Sequence, residues 1–378
     1  MIGNAMVTRK LFVNIARMKP DHPARPATGT SIAERKSRWL DLQRPDAAPG
    51  FVFLIRCAET DRALPPAPCP LRSNRTAWMD HVLRRYDLMR QRAEWLHDDA
   101  VPYLHVLNGT EVFAEALGSP VHVPDGERPF ALAAVHDAAG AARISAPDLS
   151  ATHLPWYLEF AAEARQRAGG DPVLGMFDIQ SPLDIASLVW DKADLFTAMA
   201  DDPAAVHGLS AEAAKLVTAF LDAWFARFGT GYVAHFPDYY MEGGLTLSED
   251  EVGSLSPKAF RTFVQPHLAA LSNRYGGIGI HCCAAARHQW DNFRAVPGLK
   301  VLNFVKPHHQ GDDYILDAYR HFAGSCLQMH MCHAPQPVDL RQGTLAGTRS
   351  VIEINVDTAD EARRAADRLN EYRASLTA

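Results

Sequence analysis

No run of eighteen apolar residues occurs in the sequence, so nothing in it reads as a membrane-spanning helix. No block of Lys or Arg occurs either. With a net charge of -6 and a pI near 6.3, a nucleic-acid surface is not expected. Glycine-rich phosphate loops of the P-loop or dinucleotide type are absent, which sets nucleotide chemistry aside. The N-terminus has neither the apolar core nor the cleavage site of a secretory signal, and the reading is a soluble, cytoplasmic protein. Six cysteines in 378 residues are too few for a disulfide scaffold. Three of them, Cys283, Cys326 and Cys332, stand near histidines, which favours reduced thiols available as metal ligands.

What is present is a large apolar fraction, 47%, arranged in short continuous runs that alternate with amphipathic stretches. Phe51 to Ile55 is such a run, and unbroken runs suit parallel strands covered on both faces. Further strands are expected over Val101 to Leu107, Val173 to Phe177, Tyr232 to Phe236, Ile278 to Ile280, Leu299 to Val305, Cys326 to Met331 and Ser350 to Val356. Between them, Ser31, Pro203 and the Ser256-Pro257 pair mark helix starts. Eight strand–helix units indicate an α/β fold, a single (β/α)₈ TIM barrel over residues 31–378, preceded by a basic, proline-punctuated arm over 1–30.

Chemistry in a (β/α)₈ barrel sits at the C-terminal ends of the strands. Here those ends carry Arg56, Asn108, Asp178, Asp238, His281, Lys306, Cys332 and Asp357. The stretch Ile278 to Arg287, IGIHCCAAAR, is the most informative of them. Side chains alternate along a strand, so His281 and Cys283 share a face and Cys282 takes the other. An imidazole beside a thiol suits a borderline-soft metal such as zinc.

The segments GMFDIQSPLDIASLVWD and MADDPAAVHGLSAEAAKLV resemble the uroporphyrinogen decarboxylase superfamily, as does GSLSPKAFRTFVQPHLAAL with its "SPxxFxxFxxPxxxxL" pattern. GIGIHCCAAARHQWDNF resembles the "HxCG" strand of the zinc-dependent branch, the methylcobalamin:coenzyme M methyltransferases and related corrinoid-linked enzymes. Three features depart from these patterns. The arginine-rich "RQAGRY" loop and the "GHG" after strand eight are replaced by RCAETDR and NVDTADE, so porphyrinogen decarboxylation is not expected. The second zinc cysteine, usual in a "GC" after strand eight, is missing, and Cys332 is its nearest substitute.

The resemblance therefore implies a methyltransferase with zinc on His281, Cys283 and Cys332, with His330 or His333 as alternatives to the last. It also implies a corrinoid such as methylcobalamin as methyl carrier, a corrinoid protein as partner and a small-molecule substrate. The oligomeric state stays open, a homodimer included. Asp178, Asp238 and Glu242 are candidates for orienting substrate, for acid–base work or for a fourth metal ligand. Arg56 and Lys306 are candidates to clamp an anionic substrate group, Asn108 to bind substrate, and Tyr239 and Tyr240 to wall the pocket. Two other classes remain: a metal-free decarboxylase or lyase on the same barrel, and a non-catalytic subunit of a corrinoid system.

Overall fold

The computed structural model describes residues 30–64, 66–69, 72–106, 109–125, 127–235, 238–311, 313–330 and 347–377. Asn108, Cys332, His333 and the arm over 1–29 lie outside the described residues. The first described helix, Ile32–Gln43, starts at Ser31, whose hydroxyl accepts from the Glu34 amide while the Glu34 carboxylate accepts from the Ser31 amide. This reciprocal capping box satisfies two amides that have no partner within the helix.

Among the described residues twelve strands follow in chain order: β1 (Gly50–Cys57), β2 (Tyr103–Leu104), β3 (Val121–His122), β4 (Phe130–Ala131), β5 (Val173–Gly175), β6 (Gly231–Val233), β7 (Tyr240–Glu242), β8 (Leu245–Ser248), β9 (Ile278–Cys282), β10 (Leu299–Phe304), β11 (Leu327–Gln328) and β12 (Arg349–Val356). Six of them form a parallel sheet in the order β1-β12-β11-β10-β9-β8. A second sheet runs β2-β5-β6-β7, with only β7 antiparallel, and β3 and β4 form a separate hairpin.

The two sheets meet at two seams and together make the barrel. At one, Gln180 bridges Ser248 in parallel, with Ser248 N donating to Ile179 O and Ser181 N to Ser248 O, each at 2.8 Å. At the other, side chains do the work of a ladder. Asp99 accepts from Phe53 N at 2.9 Å, its own amide donates to Phe53 O at 3.0 Å, and Asp98 accepts from Ile55 N at 3.1 Å. Both carboxylates are buried, so their charges must be met: Arg35 and Arg92 pair with Asp98, Arg38 and Arg373 with Asp99.

All eight expected strands are present, but the fourth takes a different course. Where a run to Phe236 was expected, β6 ends at Val233 and the chain reverses into β7. Asp238 lies between them in the left-handed region at φ 69°, which costs a non-glycine residue strain. The register pairs Val233 with Tyr240 and Gly231 with Glu242, so Tyr240 and Glu242 descend away from the mouth. Gly243 and Gly244, at φ 64° and 101°, then turn the chain upward into β8, a strand additional to the eight expected. Their positive φ is available to glycine at little cost.

Alternation along β1 decides what faces the interior. Val52 and Leu54 join the large barrel core. Phe51, Phe53 and Ile55 pack instead with Ile352, Ala362, Ala365 and Leu369, beneath the terminal helix Ala359–Thr377. Arg56 shares the parity of Val52 and Leu54 and therefore points inward. Among the described residues no helix is long and apolar enough to cross a membrane.

The Asp99 seam yields a direct check. Asp99→Ala leaves a buried strand amide and two part-buried arginines without their acceptor. It should destabilise the fold by about 3–5 kcal/mol, read as a lower urea midpoint with an unchanged slope.

Candidate functional site

Ser248, His281 and Asn303 occupy adjacent positions on β8, β9 and β10: the register pairs Ser248 with His281 and His281 with Asn303. Paired residues on neighbouring strands face the same side. The result is a polar row across the barrel interior near its mouth. At one end the Ser248 hydroxyl donates to Asp178, and at the other the buried Asn303 amide donates to the Met329 carbonyl. That second bond leaves the Asn303 oxygen facing His281, so Nδ1 of the imidazole carries the proton it donates to Asn303. Nε2 is then the nitrogen bearing an electron pair, as a metal ligand requires.

Two further donors stand beside this imidazole. One ligand atom each from His281, Cys283 and Asp250 lies within 4.8 Å of the others. The Cys283 amide donates to Asp250 at 2.6 Å. Asp250 is itself seated by the buried Asp184, whose two oxygens accept from the amides of Asp250 at 2.7 Å and Glu251 at 3.1 Å. Asp184 lies on the helix Pro182–Val189, capped by Ser181, so the loop after β8 is anchored to the helix after β5.

The electrostatics disfavour ionising these acids together. Desolvation first, then the Asp250 carboxylate, push the Cys283 thiol up to about 12. Burial, followed by Asp250, pushes Asp184 up to about 7. A thiol and a carboxylate held together repel when both ionise, and a bound cation would remove that repulsion. The set of nitrogen, sulfur and oxygen donors matches zinc, whose 2.0–2.3 Å bonds would draw the three atoms to roughly 3.3–3.8 Å from one another. The residues therefore fit the group. Cys282 behaves differently. It is fully buried on the other side of β9, and burial holds its thiol well above the ordinary value.

His281 also lines a cavity of about 460 Å³. Its walls include Phe177, Ile179, Tyr239 and Leu247, and its polar groups include Asp178, Asp238, Arg85, Tyr103, His105 and His235. Nδ1 of His235 lies 3.3 Å from Nε2 of His105, and burial, reinforced by Arg85 at His105, keeps both imidazoles below their usual pKa. Asp238 accepts from the Tyr103 hydroxyl and pairs with Arg56 at 2.8 Å. Burial opposes its ionisation, yet Arg56 and Arg85 outweigh burial and hold it down at about 2.

Several sequence candidates fall elsewhere. Arg56 faces inward but lies between Asp238 and Glu353, 3.1 Å from the latter, so it is tied into the wall. Lys306 donates to the Gln310 carbonyl at 3.1 Å, which ties it to the loop after β10, and it does not line the cavity. Tyr239 lines the cavity as expected. Tyr240 and Glu242 do not, because the β6–β7 reversal carries them down, where the Tyr240 carbonyl accepts from Gln43 at 2.6 Å. His330 is spent in the core: Nδ1 accepts from Phe304 N at 3.1 Å, Nε2 lies 2.9 Å from Gln328 Oε1, and burial pushes its pKa down to about 3. Asp250, Asp184 and Asn303 were not singled out from sequence. The signal for Asn303 is a lone amide inside the otherwise apolar run Val301 to Val305.

The model of the uroporphyrinogen decarboxylase (URO-D) family matches residues 104–308, more than half of the chain. The chain belongs to the uroporphyrinogen decarboxylase family. Among solved structures, a methyltransferase from Methanosarcina mazei superposes with a TM-score of 0.59 at 13% identity, covering 92% of this chain and 99% of that one. At that identity the likeness concerns the fold. Comparison with curated proteins finds none that matches. This family member thus shares the family's barrel, while its site residues must be argued from their own geometry.

The Arg56–Asp238 pair makes a pH prediction. A carboxyl held near 2 in the fold and near 3.8 when free stabilises the protein above about pH 4. That contribution, about 2–3 kcal/mol, should fade as pH falls from about 4 towards 2. Asp238→Asn should be less stable at neutral pH and should show a flatter loss across that window in urea titrations.

Proposed function

We propose that this URO-D family protein is a zinc-dependent methyltransferase, with Asp250, His281 and Cys283 as the metal ligands. It would move a methyl group between a corrinoid or methylated small molecule and a thiol acceptor. The observation that carries the reading is the convergence of three donors at the barrel mouth, one of them an imidazole whose tautomer is fixed by Asn303. Asp250 is the third donor among the described residues; Cys332, the third ligand expected from sequence, lies outside them. Three protein ligands leave a fourth tetrahedral position, the pattern of catalytic rather than structural zinc. When bound there, zinc would supply the Lewis acidity that favours a thiolate acceptor at neutral pH.

The chain's own residues do the rest. Asn303 orients His281, Asp184 seats Asp250, and the aromatic and aliphatic walls of the cavity exclude water from the reacting groups. The open mouth is where a corrinoid protein would deliver or accept the methyl group.

Purified protein supplied with zinc should hold about one ion per chain by elemental analysis. Cys283→Ala and Asp250→Ala should lose it with the barrel still folded, whereas Cys282→Ala should keep it. Asn303→Leu should retain the fold but weaken zinc affinity about 10- to 100-fold in chelator competition. A wild-type protein that binds no zinc would end this reading and bring forward the metal-free lyase. Decarboxylation of uroporphyrinogen is not expected either way. Its eight carboxylates need several arginine contacts worth about 1.5–3 kcal/mol each, and Arg56 is already held by two carboxylates. Incubation with that substrate should give no coproporphyrinogen.

A further inference from the structure

His105 and His235 face each other in the cavity, with Nε2 of the first 3.3 Å from Nδ1 of the second and the ring centres 5.4 Å apart. His105 stands just past β2 and His235 just past β6, with β5 between those strands in the sheet. Both rings keep part of their surface open to the cavity. Among the described residues their outward nitrogens, Nδ1 of His105 and Nε2 of His235, form no hydrogen bond. The charged and titratable groups around the pair divide between its two ends. Asp178, Arg128 and His281 act on His235, Arg85 and His81 act on His105, and Asp238 acts on both. The pair therefore runs from the metal side of the cavity to the Arg85 side, and burial keeps both rings neutral.

Two neutral imidazoles joined by one hydrogen bond have linked tautomers. If Nδ1 of His235 donates, Nε2 of His105 accepts and that ring carries its proton on Nδ1. If Nε2 of His105 donates instead, His235 carries its proton on Nε2. Both rings are thus Nδ1–H, or both are Nε2–H. A proton arriving at one outward nitrogen converts the first state into the second, and neither ring ends with a charge. Such a path suits a cavity whose burial disfavours imidazolium. The acids nearby are already engaged: Asp178 accepts from Ser248, and Asp238 from Tyr103 and Arg56.

We propose that the two rings form a proton wire, in which His235 is the catalytic residue that takes a proton from a substrate bound beside His281. His105 is the positioning residue that fixes the tautomer of His235 and passes the proton on. Nε2 of His235 accepts the substrate proton while its Nδ1 proton moves to Nε2 of His105, and the Nδ1 proton of His105 leaves to water. With water excluded from the reacting groups, a proton released by a bound thiol needs such an acceptor. The wire rests on the methyltransferase reading only for the thiol as its proton source.

Imidazole nitrogen NMR of the zinc-free, full-length protein near pH 7 reads the linked tautomers directly. Both rings, assigned with His105→Gln and His235→Gln, should be neutral and protonated on the same nitrogen. One ring of each tautomer, or an imidazolium, overturns the wire. Zinc-loaded protein is then given methylcobalamin and 2-mercaptoethanol. His235→Gln should slow methyl transfer at least about 100-fold near pH 7 with zinc content unchanged. His105→Gln can hold a hydrogen bond to His235 but relays no proton, so it should slow transfer as well. Both losses should shrink above about pH 9, where a free thiol ionises unaided. Rates like wild type, or losses that do not change with pH, overturn the proposal. Should either variant not fold, the wild-type rate against deuterium content of the solvent decides: a curved dependence marks two protons in flight, and a straight one overturns the wire. If the protein takes up no zinc or transfers no methyl group, the methyltransferase reading falls and the tautomers alone decide for or against the wire.

Discussion

The hydrogen bond from the Asn303 amide to the Met329 carbonyl is the contact on which the mouth of the barrel depends. An amide can present either its oxygen or its nitrogen to a neighbour, and only this bond settles which. With the nitrogen turned to Met329, the oxygen must meet His281, and the imidazole has one proton position left to it. In-register pairing of β8, β9 and β10 passes the same order sideways to Ser248 and Asp178. A slip of one residue in either strand pair would turn the row to the outer helices and bring apolar side chains into the cavity.

The interior carries an unusual density of charge for a barrel core. It is tolerable because each group has an answer nearby. Arg56 lies between Asp238 and Glu353, Tyr103 bridges Asp238 and Arg85, and Asp98 and Asp99 gather four arginines at the seam with β1. Asp238 pays for its place in backbone strain, since its left-handed conformation is what turns the carboxylate towards Arg56.

The sequence made the barrel legible because its strands are short apolar runs that need no partner to be recognised. Helix starts at Ser31, Pro203 and Pro257 were equally plain, since capping is local chemistry. That His281 and Cys282 face opposite ways follows from alternation, and the structure puts His281 at the cavity and buries Cys282. What escaped was long-range. Asp250 reads as one acid in a solvated loop until Asp184, 66 residues earlier in the chain, is seen holding its amide. The reversal at Asp238 left no apolar or glycine signal strong enough to separate β6 from β7, so Tyr240 and Glu242 were assigned to the wrong end of the barrel. Arg56 and Lys306 were chosen for charge, but charge in the sequence does not say which carboxylate or carbonyl already holds it.

The chain of contacts from Asp184 to Asp250 to Cys283 has a thermodynamic consequence of its own. Loops that gather ligands only when an ion arrives lose their freedom at that moment, and the loss weakens the binding. Here the loop after β8 and the rim after β9 are tethered through backbone amides before any ion is present. The ordering cost falls on folding instead, where the helix after β5 helps to meet it. Ion uptake should thus proceed with little change in heat capacity or in backbone protection, as expected of a socket rather than a clasp.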